Sequence, residues 1–388
     1  MMTLSFEPND APTIAIVVGE HSGDTLAAGL MAAVNARYPH IRWVGIGGPK
    51  MQQQGFESWY PMEQLAVMGF FEPLWRLYSL LKLQQQLKKR FKALKVDLFI
   101  GVDAPEFNLP LAKWLKQQGF KTLHYVSPTV WAWRPKRLQR IQYAVDAMLL
   151  IYPFEVALYQ QAKIPGFYVG HTLADEIPWL PAPLLARAKL NLPPGPMVAI
   201  LPGSRLRELN YLVPVFLQTI QWLATRHPQC QFVVALPTTE RAQQFERLLQ
   251  QSHCSVPIYC LTGQTRQVLE ASDVVLVTSG TATLETMLYK KPMVIAYKTN
   301  ALTYWLAKKL IKTPYIGLPN ILAQAPLVPE YLQQEATPAK LGAALEQLLN
   351  LSESQRQQLI NRFTTLHRSL QQNANQKAGD VVLKLLGA

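Results

Sequence analysis

One repeating pattern constrains this chain more than any other. Short, continuously apolar runs end at a Gly, Pro or small polar residue, and stretches with helical spacing follow. The runs fall at 13–18, 41–46, 96–102, 122–126 and 147–151, then at 197–201, 232–236, 258–261, 274–277 and 293–297. Helical patterns cover 24–37 and 74–94 and recur after most of the other runs. Strands alternating with helices give βαβ units and a parallel sheet. Runs that do not alternate with polar residues suit strands covered on both faces.

The two series are separated by a segment crowded with Pro178, Pro181, Pro183, Pro193, Pro194 and Pro196. It reads as a connection with little room for regular structure. The expected fold is therefore α/β, with two Rossmann-like lobes facing a cleft. The expected organisation is an N-terminal lobe over 1–175, a Pro-rich linker over 176–196, a C-terminal lobe over 197–350, and terminal helices over 351–388.

Composition narrows the class. Of 388 residues, 49% are apolar and 16% charged, which excludes a disordered chain. Lys and Arg number 38 against 25 acids, a net charge of +13. Nucleic acid, an anionic membrane surface or a phosphorylated substrate would each suit that excess. No nucleic-acid motif is present and the aromatics sit among aliphatics, so no nucleic-acid partner is expected. Cys230, Cys254 and Cys260 match no zinc spacing and read as thiols in a reducing compartment. There is no apolar run of about 18 residues. Glu7 and Asp10 stand where a signal peptide would be basic, so a cytoplasmic protein is expected.

In such sheets ligands bind beyond the carboxyl ends of the strands. In the second lobe, Gly203-Ser204-Arg205 and then Glu208 follow the run at 197–201. Gly203 admits close backbone approach, Ser204 can donate, and the Arg205 guanidinium suits phosphate oxygens. After 274–277 come Ser279-Gly280-Thr281 and, four residues on, Glu285. A Gly and small hydroxyls opening a helix form an anion site, and Glu285 can accept from ribose hydroxyls. Taken singly, these are also ordinary turns and N-caps; together they read as one nucleotide-diphosphate site. There is no G-x-x-x-x-G-K-[ST] motif. Gly45-Ile46-Gly47-Gly48 lacks the third Gly and acidic partner of a dinucleotide fingerprint. No metal-binding cluster is visible, so neither metal nor cofactor is expected, and Arg205 with the helix start would stabilise a departing diphosphate.

In the first lobe, strand ends deliver Glu20, Ser22 and Asp24, then Asp103, Glu106 and Asn108, then Ser127, Trp131 and Trp133. Strand-end carboxylates suit general base work. Ser22 lies in no G-x-S-x-G elbow, which disfavours a hydrolase. His21, His124 and His171 are too scattered to be claimed as ligands. Residues 65–81, with Val67, Met68, Phe70, Phe71, Leu74 and Trp75, precede Lys82, Lys88, Lys89 and Arg90. Apolar and aromatic residues beside clustered cations suit contact with an anionic bilayer. A similar stretch covers 303–312.

These residues fall in ordered motifs: G-E-H-S-G-D (19–24), G-I-G-G-P-K-M (45–51), M-G-F-F-E (68–72), D-A-P-E-F-N (103–108), Y-V-S-P-T-V-W-A-W-R (125–134), P-F-E (153–155), V-G-H-T-L-A-D (169–175), L-P-G-S-R-x-x-E (201–208), T-S-G-T-A-T-L-E (278–285) and L-P-N-I-L (318–322). Their order and spacing resemble the lipid-A-disaccharide synthase family, glycosyltransferases of GT-B architecture (glycosyltransferase family 19), nearly end to end. His21 stands where the family usually has Ala, and Glu106 where it usually has Asp. The resemblance implies inverting transfer of 2,3-diacylglucosamine from UDP-2,3-diacylglucosamine to 2,3-diacylglucosamine 1-phosphate (lipid X), giving the β-1,6 disaccharide 1-phosphate and UDP.

It also implies peripheral attachment to the cytoplasmic face of the inner membrane of a Gram-negative bacterium, and a homodimer with exchanged C-terminal segments. Asp103, with Glu20 as second choice, would then be the base. Gly203, Ser204, Arg205, Ser279, Gly280, Thr281, Glu285 and Asn320 would hold UDP. Ser22, Asp24, Asn108, Ser127 and Trp133 would meet the sugar or acceptor. Two other classes share parts of the pattern: a further two-lobed UDP-sugar enzyme such as a MurG-like transferase or a UDP-GlcNAc 2-epimerase, and a non-catalytic scaffold that binds UDP-sugars at a membrane.

Overall fold

The structure, a computed structural model, describes residues 11–65, 74–130, 137–301, 304, 305, 308 and 313–387; for 74–77 it describes the backbone alone. The chain divides into two units, Met1–Asp175 with Leu370–Ala388, and Glu176–Ser369.

Unit 1 holds strands β1 (Thr13–Val18), β2 (Arg42–Ile46), β3 (Phe56–Ser58), β4 (Leu98–Val102), β5 (Lys121–Tyr125), β6 (Ala147–Leu150) and β7 (Gly166–Tyr168). They form one sheet in the order β3-β2-β1-β4-β5-β6-β7, with every neighbouring pair parallel. Unit 2 holds β8 (Met197–Leu201), β9 (Gln231–Leu236), β10 (Ile258–Thr262), β11 (Val274–Thr278), β12 (Met293–Tyr297) and β13 (Glu330–Leu332). Their order is β10-β9-β8-β11-β12-β13, again all parallel. Each sheet reverses its winding once, between β1 and β4 in unit 1 and between β8 and β11 in unit 2.

The apolar runs are continuous because alternate side chains enter different cores. Ile14, Ile16 and Val18 of β1 join one cluster, and Ala15 and Val17 join the other. The helix Leu74–Leu94 covers the second face through Leu83, Leu87 and Phe91, four residues apart. No described helix is long and apolar enough to cross a membrane.

The structure differs from the sequence reading in two places. The edge strands β3, β7 and β13 are three residues each, too short to show a period. The proline-rich segment is not bare of regular structure, since it carries the helix Pro183–Lys189. Pro183 occupies its first turn, where a missing N–H costs nothing. Arg187 ties that helix down by donating to Ala271 O (2.7 Å) and Gly195 O (3.0 Å) and pairing with Asp273 (2.7 Å).

The last 38 residues are shared between the units. Most of the helix Glu353–Leu370 lies in unit 2, whereas the helix Ala374–Leu386 packs on His21–Asn35 of the same chain in unit 1. Gly29 leaves room there, because a Cβ would stand 2.5 Å from Asn375. Asp175 starts the terminal helix. Its carboxylate accepts the backbone N–H groups of Gln372 (3.0 Å), Asn373 (3.0 Å) and Ala374 (2.6 Å).

An Asp175→Ala variant therefore leaves three amides at that helix start without their acceptor. Loss of a capping carboxylate costs about 2 kcal/mol. Denaturant unfolding should show a drop of that order, with earlier proteolysis beyond Ser369; unchanged unfolding would contradict the assignment.

Candidate active site

Open parallel sheets bind ligands where the strand order reverses, beyond the carboxyl ends. In both units most of the groups singled out in the sequence follow the two strands that flank the reversal; Ser127 and Trp133, after β5, and Asn320, in the helix Leu318–Ala323, do not.

In unit 2 those exits follow β8 and β11. Gly203 has φ +111°, and a Cβ there would lie 2.5 Å from Glu208 Oε2 and 3.1 Å from the Thr278 methyl. The two loops are thus in contact through a residue that must be glycine. Glu208 is nearly enclosed and fixes the loop. One oxygen accepts the N–H groups of Ser204 (3.1 Å) and Arg205 (3.2 Å), and the other meets the guanidinium at 3.4 Å. Arg205 itself is 79% exposed, so its remaining donors face outward.

Across the switch point, Gly280 (φ +147°) precedes the helix Thr281–Leu288. Thr281 is exposed at the helix start. Ser279 Oγ donates to Ile316 O at 2.9 Å, so this hydroxyl anchors the neighbouring loop. Glu285 is half-buried, and burial raises its pKa despite opposing help from Arg266. Asn320 differs from the contact role expected of it. It is 1% exposed and its amide is committed internally: it donates to Val328 O (2.8 Å) and Glu330 (2.8 Å) and accepts from Val328 N (2.8 Å). It ties its helix to the segment that leads into β13.

In unit 1 the exits follow β1 and β4. A Cβ on Gly19 would stand 3.0 Å from Ala104 Cβ, so these two loops also touch. Asp103 (φ +49°) and Ala104 (φ +42°) are consecutive left-handed residues. Such backbone costs about 1–2 kcal/mol per residue and persists only where its surroundings enforce it. Here Asp103 N donates to Tyr125 O (3.0 Å), and Asn108 Nδ2 donates to Asp103 O (2.8 Å). Asp103 is half-buried, and desolvation raises its carboxyl pKa. Glu20 and Ser22 are exposed at the β1 exit.

Three expected sugar contacts prove to be internal. Asp24 is 2% exposed, and its carboxylate accepts the N–H groups of Gly48, Lys50 and Met51, each at 3.1 Å. It is the acceptor for the turn after β2. Asn108 is 0% exposed and also donates to Val17 O (3.2 Å), joining the ends of β1 and β4. Ser127 is buried with its hydroxyl 2.7 Å from the Tyr159 hydroxyl. All three shape the strand ends from beneath. Trp133, Val67, Met68, Phe70 and Phe71 lie outside the described residues, as do the side chains of Leu74 and Trp75.

Glu155 was missed as a candidate, although it sits beside Ser127 within the switch-bearing half of unit 1. It is 1% exposed and accepts from Tyr152 N at 3.1 Å, and burial pushes its pKa up to about 8. Its sequence signal is the short motif P-F-E (153–155), which gives its carboxylate no role. A carboxyl that is protonated when folded and has an ordinary pKa near 4.5 when unfolded binds more protons in the folded state between those values. Stability then falls as pH rises through that window. Glu155→Gln keeps the shape and removes the proton. Thermal unfolding of that variant should be flatter than wild type between about pH 5 and pH 8; an unchanged pH profile would show that Glu155 titrates normally.

Solved structures of similar shape define the class. A UDP-GlcNAc 2-epimerase from Neisseria meningitidis bound to UDP-GlcNAc aligns with a TM-score of 0.63 at 12% identity, covering 96% of this chain and 100% of that one. The glycotransferase of kitacinnamycin aligns at 0.61 with 14% identity, covering 97% and 99%. At such identities the likeness concerns the fold: two Rossmann-like parallel-sheet units of GT-B type, the architecture of a large class of glycosyltransferases. The family follows from closer matches. A family model for lipid-A-disaccharide synthetase matches residues 14–383. The lipid-A-disaccharide synthase of Erwinia tasmaniensis is 47% identical over 97% of this chain and 99% of its own length, and that of Chromobacterium violaceum is 48% identical over 98% and 99%. The chain belongs to the lipid-A-disaccharide synthase family.

Proposed function

We propose that this glycosyltransferase joins 2,3-diacylglucosamine from its UDP donor to the 6-hydroxyl of lipid X in a single inverting displacement. Asp103 takes the hydroxyl proton. The oxygen attacks the anomeric carbon as the bond from that carbon to the diphosphate oxygen breaks, and UDP leaves with the electron pair. The observation that carries this reading is the pairing of functional groups with switch points. Unit 1 presents a strained, half-buried carboxylate there, and unit 2 presents an exposed guanidinium beside a glycine-opened helix.

Arg205 and the amides around Gly280 and Thr281 stabilise the departing diphosphate, as preorganised donors do. Gly203 and Ser204 let the ligand approach the backbone, and Glu285 accepts from ribose. Glu208 and Asn320 position these groups without touching the ligand. The raised pKa of Asp103 suits a base, because a more basic carboxylate takes a proton more readily. The carboxylate must first be free, so turnover should be lost as pH falls through this raised value.

Peripheral membrane attachment and a homodimer belong to the same proposal. Tyr78 (70% exposed) and Leu81 (52% exposed) beside exposed Lys82 and Lys89 support a lipid-facing side of the helix Leu74–Leu94. Two acylated substrates make such a position useful.

Asp103→Asn should lower kcat by about a hundredfold or more, the usual contribution of a positioned base, while leaving the Kd for UDP near wild type. Near-normal turnover would transfer the role to Glu20. Arg205→Ala should instead raise the Kd for UDP by about tenfold or more, as expected for a lost charged hydrogen-bond partner. Calorimetry showing unchanged UDP affinity would remove Arg205 from the site.

A further inference from the structure

Unit 2 carries a second concave site, at the amino-terminal ends of its strands. Ser272 and Asp273 lead into β11 and Lys291 and Pro292 lead into β12 at its wall. A five-residue strand at roughly 3.3 Å per residue separates this end of the sheet from the Gly280 end by about 16 Å. The cavity has a volume of about 600 Å³.

Its charge is one-sided. Lys290, Lys291, Arg356 and Arg368 line it, and Asp273 is its one carboxylate among the described residues. That carboxylate is already paired with Arg187 at 2.7 Å. Lys290 Nζ is held by Leu288 O (2.6 Å) and lies 2.5 Å from His367 Nδ1. Lys291 Nζ donates to the carbonyls of Glu270 (2.9 Å) and Ser272 (2.7 Å). Both ammonium groups are nearly enclosed, and uncharged acceptors hold them in place. Burial pushes each down to about 8, with Asp273 and Glu270 opposing the shift at Lys291 and Arg187 and Arg356 adding to it.

Trp179 lines the cavity as well. Its ring stacks on buried His367 at 4.7 Å and 7°, and Lys290 Nζ and Arg368 Cζ approach it to 5.6 Å and 5.4 Å. Leu180 lines the cavity and is 87% exposed. Pro183 also lines it, and the two residues that follow in the helix Pro183–Lys189, Leu184 and Leu185, are 77% and 56% exposed beyond the lining. A cationic cavity with an unpartnered apolar lip matches a ligand that is anionic at one end and aliphatic at the other.

We propose that this cavity takes the phosphate of an anionic lipid headgroup, with Leu180 and Leu184 resting against the acyl region of the same bilayer. It is a second lipid-contact site, separate from the helix Leu74–Leu94. It uses no residue of the transfer site, and its occupancy is measured without either substrate.

The test is co-sedimentation of the full chain with phosphatidylcholine vesicles, with and without phosphatidylglycerol. Arg356→Ala combined with Arg368→Ala should lower the partition constant on phosphatidylglycerol vesicles by about thirtyfold, the value of two surface cations. Leu180→Ser combined with Leu184→Ser, at two exposed positions, should lower it by about tenfold. Arg226→Ala with Arg247→Ala removes equal charge elsewhere in unit 2 and should change it by less than about twofold. A matching loss there would assign binding to bulk charge and overturn the site. Retention unchanged by both cavity variants would also overturn it. Inorganic phosphate that binds wild type but not the arginine variant, with vesicle retention unaffected, would make this a free-phosphate site and overturn the lipid assignment.

Discussion

A parallel strand cannot return directly to its neighbour. The chain must leave at the carboxyl end, cross a sheet face and re-enter at the far side. Every exit therefore gathers at one edge, and two exits diverge wherever the strand order reverses. In this protein both sheets reverse once, and the loops that meet at each reversal, Gly19 with Ala104 and Gly203 with Thr278, are close enough that an added methyl would collide or press. The placement of Asp103 in unit 1 and of Arg205 in unit 2 is a consequence of that topology.

Holding these exits in shape requires buried polar groups. Asp24, Asp175 and Glu208 each accept two or three backbone N–H groups, and Asn108 and Asn320 bridge chain segments with their amides. A buried acceptor removed from such a cluster strands its donors, which costs more than the hydrogen bond contributes. The motifs therefore mix two kinds of residue, those that face a ligand and those that fix the loop beneath it. On the proposed reading, exposed Arg205 and Thr281 are of the first kind, and enclosed Asn108 and Asn320 are of the second.

The sequence made the sheets legible because a strand buried on both faces is a continuous apolar run; of the ten runs visible, only that of β10, an edge strand with exposed residues, is not of this kind. The three-residue edge strands were not, since β3, β7 and β13 are specified by neighbours rather than by period. The site loops were legible as positions following strands. What sequence could not separate was contact from support. Asp24 and Asp103 are both carboxylates just beyond strands, and only the direction of the backbone N–H groups of 48–51 decides that Asp24 is occupied. Glu155 was visible only as the end of the P-F-E motif; its raised pKa was not, because it comes from burial in the folded chain. The cationic cavity around Trp179 likewise joins the proline-rich segment, the start of β12 and the helix Glu353–Leu370, which no local pattern connects.

The central claim is that a sugar alcohol displaces UDP from an acylated glucosamine. It is tested most directly by mixing the purified chain with UDP-2,3-diacylglucosamine and 2,3-diacylglucosamine 1-phosphate and following both products by mass spectrometry. The account predicts UDP and a tetraacyl disaccharide 1-phosphate in equal amounts, with neither formed when the acceptor is omitted. UDP released at the same rate without acceptor, or a donor recovered intact or epimerised at the 2-position, would contradict it.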